Sequence, residues 1–310
     1  LKKAAELINW DGPFKGSKTD GQWFSGIGVA CGFYGIGYGN GIKDKGQVEL
    51  IYTPDHKLTI LTSAIDYGQG AHTVFAQIAA ETLGMNPNLI TVTTSDTRTT
   101  PDSGSTVASR QTMVTGNAVN KAALKLRDQL ANSKNITEPV RVKTRFLFVS
   151  EAIDSNTGQG NVYRSFATAA SAARVDVSRK TGQVRLKHVA SVHDSGTIIN
   201  PILAKSQVTG GIMMAAGMAL WEQYRTSNGL AKTCDFSDYR IPRSTDIPIM
   251  DIEFLPTPDP SGPFGAKGLG EPAMVAAGPA ILNAVCDALD YDFSSVPVTR
   301  DMILKAFRNR

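Results

Sequence analysis

Residues 47–53 and 57–65 alternate apolar and polar positions, which predicts two strands joined by the Pro54-Asp55 turn. After Gly68-Gln69-Gly70 the period changes. Val74, Phe75, Ile78, Ala79 and Leu83 recur at helical spacing and stop at Gly84. Residues 89–94 read as a strand, and a second helix is expected over residues 107–130. The same order returns later. Residues 170–177 and 183–192 form a hairpin around Lys180-Thr181-Gly182, a helix runs over 201–223, a strand over 248–255, and a helix from Gly278-Pro279 to Leu289. A strand-strand-helix-strand-helix unit repeated at low identity predicts an α+β protein of two lobes, each a sheet covered by helices on one face. The expected division is a linker or helix-plus-loop over residues 1–23, a first lobe over 24–135 and a second over 136–310.

Before the first repeat, residues 26–39 alternate glycine with apolar and aromatic residues. Glycines in a strand mark bends or close backbone approach. Phe33, Tyr34 and Tyr38 then suit either the lining of a flat pocket or ordinary core packing.

Composition narrows the partners. The chain has 310 residues, 42% of them hydrophobic, and a net charge of +4 from interspersed acidic and basic side chains. Nothing concentrates a field for nucleic acid or anionic lipid, so neither nucleic acid nor membrane is expected as a partner. Cys31, Cys234 and Cys286 lie far apart and form no C-x-x-C, which fits free thiols in a reducing compartment and predicts a cytoplasmic location. His56, His72, His188 and His193 show no metal-ligand spacing. The chain opens on Leu1, as expected of a piece of something longer.

Polar, glycine-flanked residues gather at the loop-to-helix junctions. Gly68-Gln69-Gly70 and Gly104-Ser105-Thr106 precede helices, whose N-terminal N–H groups suit phosphate or another anion. Ser109, Arg110, Gln111 and Thr112 crowd hydroxyl, guanidinium and amide donors together, beyond what a helix cap alone explains. In the helix from Pro201, Gln207 stands among Gly210, Gly211 and Gly217, where either a second helix or a ligand approaches closely. Residues 262–272 hold four glycines, two prolines and the single carboxylate of Glu271. Such a loop fixes Glu271 in place, as a general base, a capping group or a solvated side chain.

Four motifs, in order, carry a resemblance: Gly68-Gln69-Gly70-Ala71-His72-Thr73, residues 100–112, Asn200-Pro201 through Gln207 to Gly210, and Gly265 through Glu271-Pro272. Between about Phe24 and Leu289 the chain resembles the C-terminal part of the molybdenum-binding subunit of the xanthine dehydrogenase and aldehyde oxidase family. The resemblance implies an oxidoreductase with a molybdenum-molybdopterin cofactor, in bacteria commonly the cytosine dinucleotide form, whose metal takes no ligand from the protein. By position, Gly68, Gln69, Gly70, Ala108, Ser109, Gln111, Thr112 and Gln207 would hold that cofactor. Tyr38 falls where the family places an aromatic residue against a flat substrate ring. Glu271 corresponds to the family's general base in a water-derived hydroxylation, of a purine or other N-heterocycle or, alternatively, of an aldehyde. The expected partners are the N-terminal half of the subunit and separate 2Fe-2S and FAD subunits, in a higher oligomer. A non-catalytic remnant that binds cofactor or partner is the reading from another class. Asp66-Tyr67 departs from the family, which has Glu and an apolar residue there.

Overall fold

In the computed structural model, which describes residues 1–10, 17–18, 21–94, 96–133 and 135–308, the two repeats stand out as two sheets. The first repeat is β3 (Asp44–Tyr52), β4 (Leu58–Leu61), α2 (Ala71–Leu83), β5 (Ile90–Thr93) and α3 (Gln111–Ala131), preceded in the chain by α1 (Lys2–Leu7), β1 (Ser17–Lys18) and β2 (Trp23–Gly35). The strand β6 (Val140–Phe148) leads into the second repeat: β7 (Phe166–Ser178), β8 (Val184–Asp194), α4 (Pro201–Leu220), the small hairpin β9 (Thr226–Ser227) and β10 (Leu230–Ala231), and β11 (Ile249–Phe254). The chain closes with α5 (Pro272–Val275), α6 (Ala277–Leu289) and α7 (Arg300–Arg308). In each repeat the first two strands pair antiparallel and the third lies parallel to the second, β5 beside β4 and β11 beside β8.

The sheets do not divide where the chain order suggests. β2 precedes the first repeat but pairs with β7 of the second, from Trp23 opposite Ser178 to Gly35 opposite Phe166. β6 precedes the second repeat but pairs with β3 of the first, from Asp44 opposite Phe148 to Tyr52 opposite Val140. The resulting orders are β5-β4-β3-β6 and β1-β2-β7-β8-β11. Residues 23–35 thus sit in the sheet of the second lobe and residues 140–148 in that of the first, across the division expected at residue 135. Each lobe is completed by a strand from the other side of the chain, which ties the two together through main-chain hydrogen bonds.

The cores follow from small residues. Gly26 and Gly28 of β2 face α6 so closely that a Cβ on either would lie 2.1–2.2 Å from the backbone of Ala284. These are the strand glycines that close approach requires. Ala277, Ala280, Ile281, Ala284 and Val285 of α6 are buried over the larger sheet with Val208, Ile212 and Ala216 of α4. Gly211 admits Ala273 of α5 against α4, so tight helix packing explains this glycine. Over the smaller sheet, Phe75 and Ile78 of α2 and Ala118, Val119 and Ala122 of α3 are buried with Val48, Leu50, Leu58 and Ile60. Burying side chains of this size contributes roughly 1.5–3 kcal/mol for each large aliphatic residue.

Candidate functional site

The equivalent ends of the two repeats face one another across a cleft of about 320 Å³. Its wall comes from the loops entering α2, α3, α4 and α5, including Gln69, Ser109, Gln111, Thr112, Asn200, Gln207 and Glu271. Six residues singled out by sequence therefore converge although they are spread over some 200 positions. Gly68, Gly70 and Ala108 lie in the same loops but do not line the cleft.

The loop before α3 is built around a buried ion pair. Arg110 and Asp44 both have fully buried side chains, and Arg110 Nε donates to Asp44 Oδ1 at 2.5 Å. The other guanidinium nitrogens donate to the carbonyls of Ser103, Ser105 and Lys45, while Asp44 Oδ2 accepts from Tyr38 N at 3.1 Å. Saturation of both ions is what makes their burial tolerable. Arg110 is thus a structural clamp whose guanidinium is turned away from any ligand. The helix also starts later than its composition suggests. Ala108 and Ser109 take left-handed φ values of 52° and 51°, so regular α3 begins only at Gln111. Such residues cost on the order of 1 kcal/mol each and persist where the surroundings enforce them. The turn they make aims Ser109 at the second lobe.

The loop before α5 is strapped by main-chain bonds. Thr197 N and Asp259 N donate to the Gly265 carbonyl at 2.8 and 2.9 Å, and Lys267 N donates to the Ser195 carbonyl at 3.0 Å. Lys267 Nζ reaches Asp194 at 2.9 Å and the Phe166 carbonyl at 3.0 Å. Pro272 occupies the first turn of α5, which leaves Glu271 half-buried at the helix start.

The two loops meet at Ser109 and Glu271. Ser109 Oγ donates to Glu271 Oε2 and accepts from Glu271 N at 2.9 Å. A Cβ on Gly268 would lie 1.9 Å from the Ser109 carbonyl oxygen, so this approach requires glycine. Tyr34, near the end of β2, is half-buried. Burial, followed by the Glu271 charge, pushes its phenol up to about 12.

Other expected residues occupy different surroundings. Tyr38 does not line the cleft; its ring packs 5.4 Å from the Arg110 guanidinium, because the glycine turn after β2 carries it toward the buried pair. The Gln69 amide is spent within its own loop, accepting from Tyr67 N and donating to the Ile65 carbonyl. The Gln111 amide likewise binds the Ser105 carbonyl and the hydroxyls of Thr106 and Thr115. At the start of α2 the Asp66 carboxylate accepts from Gly68 N, Gly70 N and His72 N. Its own chain thus fills the anion site expected there. Burial works to raise the Asp66 pKa, and these three N–H bonds outweigh it and hold it below the usual range.

What remains open in the wall is a small donor set. Among the described residues, the side chains of Thr112 and Gln207 make no hydrogen bond to protein, and the Ser195 hydroxyl is buried without a partner. Ser195 was not foreseen from sequence, since a lone serine after Asp194 carries no pattern. Among the described residues, no group of three or more His, Cys, Asp or Glu is arranged to hold a metal ion.

Comparison with known proteins identifies the family. A family model described as a molybdopterin cofactor-binding domain matches residues 3–144 and 132–248. The putative xanthine dehydrogenase molybdenum-binding subunit XdhA of Escherichia coli K12 is 29% identical over 99% of this chain and 45% of its own length. The aldehyde oxidoreductase molybdenum-binding subunit PaoC of the same organism is 30% identical over 98% of this chain and 44% of its own. The crystal structure of the aldehyde oxidoreductase from Desulfovibrio desulfuricans superposes with a TM-score of 0.85 at 28% identity, covering 93% of this chain and 33% of that one. The chain spans less than half the length of these curated relatives.

Proposed function

Because this chain belongs to the molybdopterin cofactor-binding domain family, we propose that it forms one side of a molybdenum hydroxylase active site and that Glu271 is the general base there. The observation that carries this reading is the meeting of Ser109 and Glu271, which holds a carboxylate at the cleft wall from both lobes. A base must be placed before it is useful, and a two-point hydrogen bond fixes its orientation.

The residues present suit a molybdopterin group. A pterin and its phosphates need scattered donors and acceptors without a protein metal set, and the buried orphan hydroxyl of Ser195 with the free groups of Thr112 and Gln207 supplies them. When bound, the group supplies the redox step of the hydroxylation. Thr112, Gln207 and Ser195 would hold it by side chain, in the cytosine dinucleotide form. Gln69 and Gln111 shape the loops around it. Glu271 takes a proton as water-derived oxygen is transferred to substrate.

The substrate proposed is a purine or another N-heterocycle. An aldehyde is the second reading, favoured by the similarity to PaoC and to the D. desulfuricans enzyme. The remaining parts would come from the N-terminal half of the subunit and from iron–sulfur and FAD subunits, in a cytoplasmic assembly. Molybdenum and pterin analysis of the protein purified from its source tests this, together with dye reduction by xanthine or benzaldehyde. About one molybdenum per chain and turnover of either substrate is the expected outcome. Absence of molybdenum and pterin from the assembled protein would contradict it and leave a partner-binding remnant.

A further inference from the structure

Three glycines interrupt α4, and two of them are explained within the chain. A Cβ at Gly211 would lie 2.8 Å from Ala273 of α5, and one at Gly217 would lie 1.9 Å from the Glu222 carboxylate. Gly210 is different. A Cβ there would meet no atom of the described residues within 4 Å outside the helix's own backbone, and the residue is exposed. Glycine inside a helix lowers stability relative to alanine, so at an open position it serves the close approach of something outside the chain.

Gly210 belongs to a continuous face. At about 100° per residue, Leu203, Gln207, Gly210, Met214 and Met218 fall on one stripe of α4. Leu203 and Gln207 line the cleft, and from Gln207 the stripe runs on for about 16 Å to Met218. Met214 and Met218 are 60% and 51% exposed, and α4 carries no charged residue after Lys205. Pro242 packs against Gly217, which sets the exposed Ile241 beside the same end of the helix. An exposed apolar stripe that continues a ligand cleft marks an interaction surface, and methionine side chains adapt readily to what covers them.

We propose that this stripe of α4 docks the N-terminal half of the molybdenum-binding subunit, through an uncharged, apolar segment whose backbone rests on Gly210. This rests on the reading of the chain as one side of a molybdenum hydroxylase site, and adds the surface on which the other side is seated. Two observations choose the occupant. The chain spans 45% of XdhA and 44% of PaoC, so more than half of each relative lies outside the matched region. The stripe also starts at the cleft wall, so a body that closes the cleft over Leu203 and Gln207 continues onto Gly210 and Met214 without a break.

The test compares the unaltered assembled protein, purified from its source, with the full chain produced alone, by mass spectrometry of methionine oxidation in dilute hydrogen peroxide. Met214 and Met218 should be oxidised at least roughly tenfold more slowly in the assembled protein. Photo-crosslinking from p-benzoylphenylalanine at position 214 of the assembled protein should yield peptides of the N-terminal half, identified by sequence. Gly210→Leu should leave the melting temperature of the chain alone unchanged or raised, because its side chain enters open space, and should return Met214 oxidation in the assembled protein to the rate of the chain alone. Equal oxidation in the two forms, crosslinks to a second copy of this chain or to an iron–sulfur or FAD subunit instead, or protection that persists in Gly210→Leu would each overturn the inference. If an altered protein fails to fold, the oxidation of the unaltered protein decides alone. Molybdenum is measured on the same preparations. A molybdenum-free assembly with protected methionines would remove the active-site reading and leave the docking surface, whereas a molybdenum-loaded assembly with unprotected methionines would remove the docking surface alone.

Discussion

The loops before α3 and α5 occupy equivalent places in the two repeats, yet they are made rigid by different physics. The first hangs on one buried ion pair: Arg110 and Asp44 are excluded from water, and five hydrogen bonds hold them. The second is a strap of main-chain bonds to Ser195 and Thr197, and its ion pair, Lys267 with Asp194, keeps 10% and 19% of the two side chains exposed. A buried clamp tolerates no partial loss, whereas a strap distributes the load over several bonds. The first helices of the two repeats, α2 and α4, show a similar contrast. Asp66 fills the N-terminus of α2 with a charge, while neutral Asn200 caps α4, accepting from Leu203 N at 3.0 Å and donating to Gln77 of α2 at 3.1 Å.

The largest expected effect breaks the clamp. Asp44→Ala leaves the Arg110 charge buried and unpaired and should cost about 3–5 kcal/mol in a denaturant melt. Lys267→Met should cost less, because Asp194 can turn to water. Equal losses would remove the distinction between clamp and strap.

The next effect is in acid. His193 lies on β8 just before the strap, and burial lowers its pKa to about 4 from 6.5. With the folded value depressed, its stabilising contribution is complete above pH 6.5 and is lost as pH falls from 6.5 toward 4. That loss amounts to at most about 3 kcal/mol, and His193→Leu should flatten the melting profile over that window.

The smallest effect separates the caps. Asn200→Ala should lower stability by about 1 kcal/mol at any pH. The Asp66 contribution should fade only as pH drops below the ordinary carboxylate range, since its pKa is held down in the fold. Thermal melts of Asn200→Ala and Asp66→Asn across pH 3 to 7 distinguish the two.

Much of this was legible in the chain. The change from period two to helical period, twice in the same order, marked the main strands and helices of both repeats but not the small hairpin β9–β10 or the short helix α5, and the four motifs identified the loops that form the cleft. Strand exchange was not legible. Residues 26–39 read only as a glycine-rich stretch ahead of the first repeat and β6 carried no distinctive pattern, and only long-range pairing decides which sheet each joins. Arg110 was misleading for a physical reason: a guanidinium among hydroxyls and amides looks like a ligand donor until its buried partner Asp44, 66 positions away, is seen. The choice between Tyr34 and Tyr38 was likewise hidden. Both belong to one glycine-aromatic run, and the end of β2 at Gly35 leaves Tyr34 in the strand and turns Tyr38 toward Arg110.

The central claim is that two loops from two repeats meet to present Glu271 as a base, and its most direct test is the turnover of Glu271→Gln in the assembled protein with molybdenum content measured alongside. The account predicts molybdenum equal to that of the unaltered protein and substrate-dependent dye reduction lower by roughly 10²- to 10⁴-fold. Undiminished turnover at equal molybdenum content would contradict it.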